Sequence, residues 1–146
     1  MGGRGSKLNV ETYLGWGHER RIGEYEAIDV LNDTKYLVQK NGGPVSAPLF
    51  SNTQNRIYVT LNAQGKISAI TKYGSDHREL FTIHESHATE KKKGVHAHVG
   101  YGKDRIRIEW GNMTSEQKNL YKTIKESIQN RDIVNKAKGW YASHGD

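Results

Sequence analysis

The sequence predicts an α+β fold: an antiparallel sheet of about four strands, three in a meander plus a fourth, with a C-terminal helix packed on one face. Three observations carry this. Residues 56–83 alternate apolar with polar residues and break at turn residues. Residues 105–110 alternate in the same way. The apolar period then changes from two to that of a helix after Thr114.

Taken in order, residues 1–22 read as a flexible lead-in, because Gly2, Gly3, Gly5, Gly15 and Gly17 break any helical pattern. Residues 23–146 read as a single α+β domain. Over 24–40 the alternation is weak, with Ala27, Ile28 and Val30, then Tyr36, Leu37 and Val38, which suggests two short strands about Asn32-Asp33. Asn41-Gly42-Gly43-Pro44 is a turn, and Pro48 keeps the chain extended into Leu49 and Phe50.

The strongest strand signal is Arg56-Ile57-Tyr58-Val59-Thr60-Leu61. Asn62-Ala63-Gln64-Gly65 is a hairpin connection, with Gly65 suited to positive φ. Lys66 to Tyr73 returns as the second strand, Gly74-Ser75-Asp76 turns, and Glu79 to Ile83 gives the third. Arg105 to Trp110 is the fourth, with Ile106 and Ile108 expected toward the core and Arg105, Arg107 and Glu109 on the other face. Thr114-Ser115-Glu116-Gln117 is a capping box. The helix it opens, about 115–129, carries Leu120, Tyr121, Ile124 and Ile128 at helical spacing, with Lys118, Lys122 and Lys125 elsewhere on the wheel. A second short helix is expected near 131–138, ended by Gly139.

The chain has 146 residues, enough to bury a core without staples. It has no cysteine, which excludes disulfides, thiolate metal sites and cysteine nucleophiles. Any metal would be held by histidine nitrogen or carboxylate oxygen. No apolar run approaches the roughly 20 residues that span a membrane, and Met1 to Lys7 lacks the apolar core of a signal peptide. The expectation is a protein without a membrane partner, in the cytoplasm of a host cell or associated with a virion. A net charge of +6 and a pI near 9.5 favour polyanionic partners, RNA or another nucleic acid above all.

Chemistry concentrates between residues 84 and 98, where His84, His87, His96 and His98 fall. On a strand His96 and His98 project to one face, and a loop folding back would bring His84 or His87 to them. Three chemistries suit this set. In the first, two histidines act as general base and general acid in RNA cleavage, since their pKa lies near neutrality. Lys91, Lys92, Lys93, Lys103 or Arg105 would then stabilise the phosphorane. No cofactor is needed.

In the second, three of the four histidines hold zinc or another transition metal with water at an open position, and Glu85, Glu90 or Asp104 acts as base or further ligand. In the third, a closed metal site ties a loop to the sheet. Against all three stands a plain reading, two polar side chains on a solvated strand face. Lys91, Lys92 and Lys93 can grip phosphate or simply be solvated. Tyr101 and Trp110 can stack on bases or belong to the core. Asp76-His77 sits at a turn, and His18 and His144 are placed in mobile termini.

Residues from about Asn55 to Ile128, half of the chain, resemble a domain at the carboxy-terminal ends of phage minor head proteins. The resemblance lies in the run Arg56 to Tyr73, in His84-x-x-His87, in Gly94-Val-His-Ala-His-Val-Gly-Tyr101, and in the helix start Met113 to Lys118. That family often has histidine where this chain has Val99. Domains at that position are often toxin-like and resemble ribonucleases of the barnase, EndoU, colicin and RelE-like group, with a helix on a four-stranded antiparallel sheet. The resemblance implies a phage-associated small ribonuclease, and the absence of a head-protein portion implies a free-standing relative. Two alternatives stay open: a histidine-ligated structural or adaptor module of a phage particle, and a non-enzymatic inhibitor that binds nucleic acid or a host protein.

Overall fold

The computed structural model describes residues 25–39, 55–85, 94–100 and 105–144. They form a seven-stranded sheet in which spatial order follows chain order. The strands are β1 (Tyr25–Leu31), β2 (Thr34–Gln39), β3 (Ile57–Leu61), β4 (Ile67–Tyr73), β5 (Glu79–His84), β6 (His96–Val99) and β7 (Ile106–Glu109). A 3-10 turn (Trp110–Asn112) leads to α1 (Ser115–Asn130) and α2 (Ile133–His144).

This corrects the predicted architecture of about four antiparallel strands with one packed helix. The sheet is mixed, because β2 and β3 pair in parallel while every other neighbouring pair is antiparallel. Parallel pairing cannot be read from local alternation, since the two partners are far apart in sequence. The predicted meander is present as β3-β4-β5. What the expectation lacked is β1 and β2 joined to it, and the His96–Val99 segment inserted as a strand before the predicted fourth. The lead-in at 1–22 and the turn at Asn41 to Pro44 lie outside the described residues.

Alternation assigns the two faces. Val59, Leu61, Ile70, Ile83 and Ala97 point to one side and pack with Ile124 and Ile128 of α1 and Ile133, Ala137 and Trp140 of α2. Burying each valine, leucine or isoleucine of this set is worth about 1.5–3 kcal/mol. The opposite side carries a smaller cluster of Tyr25, Ala27, Leu37, Tyr58 and Tyr73. Thr60, Thr71 and Thr82 are buried as well, so the middle of the sheet is covered on both faces.

The β3–β4 hairpin turns through Gly65 at φ +77° as its sequence predicts, and a Cβ there would stand 2.7 Å from Val134. That close approach lets the hairpin lie on α2. Tyr141 ties α2 to the sheet by donating to the Leu61 carbonyl at 2.7 Å and accepting from the Gln39 amide at 3.1 Å. The capping box of α1 forms in both directions, Gln117 N to Thr114 Oγ1 at 3.1 Å and Thr114 N to Gln117 Oε1 at 2.9 Å.

Three further expectations change. Gly139 does not end the second helix; α2 runs on to His144, because Trp140 beyond it packs into the core. His144 is not loose, since its ring stacks on Trp140 at 4.4 Å between centroids. Ile106 is 58% exposed rather than facing the core, because β7 is the last strand of the sheet and the helices do not cover it there. Ile108, two residues on, packs partly against the core. No helix among the described residues is long and apolar enough to cross a membrane.

Candidate functional site

The two strands that meet on either side of residues 86–93 bring three histidines together. His84 ends β5 and His96 opens β6, and the register sets them directly opposite one another. His98 lies two residues along β6, on the same face. The ring centroids are 5.5 Å apart for His84 and His96, 5.1 Å for His84 and His98, and 5.2 Å for His96 and His98.

Backbone carbonyls fix two of the rings. Nδ1 of His84 lies 3.0 Å from the Ser68 carbonyl, and Nδ1 of His96 lies 3.1 Å from the Gly94 carbonyl. A carbonyl only accepts, so each Nδ1 carries the proton and the lone pair of the neutral ring is on Nε2. His96 is fully buried, whereas His84 and His98 are half-buried. Burial first, then the charges of His84, Arg105, His96 and Arg107, lowers the pKa of His98 to about 4. His98 is therefore neutral at pH 7.

The neighbours on this face are polar. Arg107 pairs with His98 across β6 and β7, and Glu109 with His96. Arg107 and Glu109 bridge each other at 2.7 Å. Thr82, opposite His98, hydrogen-bonds Glu79, and Glu79 is held by Arg105 at 2.9 Å. Arg105 thus stands by the histidines as expected. Arg107, Thr82 and Glu79 are added by the structure. Arg107 was visible beforehand, since strict alternation puts it on the face of Arg105; nothing local singled out Thr82 or Glu79.

Of the predicted site residues, His84, His96 and His98 converge. His87, Lys91, Lys92, Lys93, Tyr101 and Lys103 lie outside the described residues, as do Glu90 and Asp104. Glu85 points away from the histidines: it accepts from Tyr121 Oη at 2.7 Å and Lys125 Nζ at 2.9 Å on the helix side. Burial and that carboxylate raise the Tyr121 hydroxyl above the usual tyrosine range. Trp110 packs edge-on against Tyr121 and partly into the core, with Lys118 above its ring at 5.6 Å. His77 sits in the expected turn, at φ +69°, beside Asp76, whose Oδ1 accepts from Arg78 N at 3.0 Å.

The donor types suit zinc, since neutral imidazole nitrogen is its usual ligand. Ring separations near 5 Å are also those of ordinary aromatic contact. As the side chains stand, no three His, Asp or Glu among the described residues are arranged to hold a metal ion. Compared with known protein families, characterised proteins and solved structures, the chain finds no match.

Proposed function

We propose that this protein is a phage-associated, nucleic-acid-directed domain that cleaves RNA by histidine acid/base chemistry. The observation that supports the reading is the gathering of His84, His96 and His98 on one sheet face beside Arg105 and Arg107. His98, neutral at pH 7, takes the proton of the ribose 2′-hydroxyl. The 2′-oxygen forms its bond to phosphorus as the bond from phosphorus to the 5′-oxygen breaks. His84, the other half-buried ring, enters as imidazolium and gives its Nε2 proton to the departing 5′-oxygen, which leaves a 2′,3′-cyclic phosphate and a neutral His84 whose Nδ1–H stays on the Ser68 carbonyl. Arg105 and Arg107 supply positive charge for the phosphorane. His96, fully buried, is a positioning residue that packs the other two rings. Lys91, Lys92, Lys93, Lys103 and Tyr101 are carried from the sequence as RNA contacts.

Purified protein incubated with RNA in excess chelator tests this. Cleavage that disappears in a His84→Ala/His98→Ala double variant with unchanged melting is the expected result. Intact RNA, or cleavage that survives the double variant, overturns it.

One observation favours a second reading, a histidine-ligated metal module. Nδ1–H bound to a carbonyl, as on His84 and His96, is the outer-shell arrangement that orients metal-binding histidines. Elemental analysis of untagged protein decides between the two. Stoichiometric metal, with melting that falls on chelation, supports the module; its absence, with melting unchanged on chelation, overturns it.

A further inference from the structure

A cavity of about 440 Å³ lies at the end of the sheet where β5 and β6 meet the helices. That volume is within the roughly 300–1,000 Å³ of small-ligand pockets. It shares backbone with the histidine cluster at two points. Glu85, on its wall, directly follows His84, so their Cα atoms are about 3.8 Å apart. Gly94, also on its wall, supplies the carbonyl that holds Nδ1 of His96.

The lining is of two kinds. Ile67, Val95 and Ile128 give apolar walls. Glu85, Tyr121 and Lys125 form one hydrogen-bonded group, and Lys66 adds a second cation. Tyr121 and Lys125 both donate to Oε2 of Glu85, so the carboxylate is held at the cavity wall. Apolar walls beside a carboxylate acceptor suit a flat ring that carries N–H donors. Lysines at the same cavity suit an attached phosphate. A nucleotide combines the three, whereas a purely apolar ligand would leave the carboxylate without a use.

We propose that this cavity is a nucleotide subsite on the helix-covered face, taking one base of an RNA chain against Glu85 and its phosphate toward Lys66 and Lys125, across the sheet from the histidines. The proposal rests on the RNA-cleaving reading for its setting, but its binding claim is tested separately.

Isothermal titration of the full chain with each of the four ribonucleoside 3′-monophosphates is the experiment. At least one should bind at a single site. Glu85→Gln and Lys66→Glu should each weaken it about tenfold, the size of one lost charge-assisted contact. Lys66 is exposed, so its variant folds even where Glu85→Gln does not. Absence of binding, or binding unchanged in both cavity variants, overturns the subsite. RNA cleavage without such binding ends the subsite and leaves the proposed function standing. Glu85-dependent binding without cleavage does the reverse.

Discussion

Strand β6 shows both faces of this sheet within four residues. Ala97 points to the helices and is fully buried among Ile83, Ile124 and other apolar side chains. His96 and His98, on either side of it, point to the opposite face and meet His84, with Arg107 and Glu109 beyond. The helix-covered face is apolar and closes the core. The other face, across the same strands, runs from buried threonines and tyrosines to a cluster of imidazoles and ion pairs. A shift of one residue in register would exchange the two. Substitutions one position apart on β5 or β6 should therefore separate stability from chemistry.

The contrast is steepest at His98. On the acid/base reading His98→Ala should slow RNA cleavage by about 10²–10⁴-fold, the usual worth of one general acid or base. Its melting temperature should stay close to that of the parent, because a half-buried polar ring adds little to the core. A matching loss of stability would show that the histidine face is structural after all. The opposite pattern is expected at Ile70→Ala, on the helix-covered face and fully buried. It should cost about 2–5 kcal/mol in denaturant unfolding, and its residual folded fraction should cleave at the parental rate.

Acid titration should show two windows. His98 has a folded pKa of about 4 against an ordinary 6.5, so between those values the unfolded chain binds the extra proton. Stability should therefore fall as pH drops from 6.5 toward 4, and His98→Ala should remove that slope. Asp29 behaves differently. Arg131 foremost, with Lys136, pulls its pKa from 3.8 down to about 2, against the opposing effect of burial. Its contribution is present above 3.8 and lost as pH falls through about 2. The partners are partly exposed, so Asp29→Asn should remove only about 1–2 kcal/mol at neutral pH. A single acid transition without the upper window would mean that His98 is not held neutral by its neighbours.

How much of this was legible beforehand depended on how local the cause was. Ile57, Val59 and Leu61 alternate strictly, and β3 with its hairpin to β4 forms where they put it. Thr114 and Gln117 announce the start of α1, because a capping box is made within four residues. The parallel pairing of Tyr36 with Val59 is set by contacts distant in sequence and left no local mark. Gly139 misled because Trp140 is drawn into the core by packing that propensity does not record. At the site, His96 and His98 were paired by strand period alone, whereas the approach of His84 required the β5–β6 register. Glu85 read as a partner of the histidines, but it follows His84 by one residue and so points to α1.

The smallest effect tests whether the helix layer can be loosened without touching the histidine face. Thr114 caps α1 about two turns before Tyr121 and three before Lys125, the two residues that hold Glu85. Thr114→Ala leaves the Gln117 amide without its side-chain acceptor and should cost about 1 kcal/mol. For a chain of this length that is a fall of about 2–4 °C in thermal unfolding. The first turn also carries Glu116, which bridges Lys72 of β4 at 2.7 Å, so the fraying helix end remains tied to the sheet. Cleavage and mononucleotide binding should be unchanged, because the cap touches neither the imidazoles nor the cavity wall. Loss of either, at a melting shift this small, would mean that α1 positions the site through its whole length rather than through its Glu85 contacts.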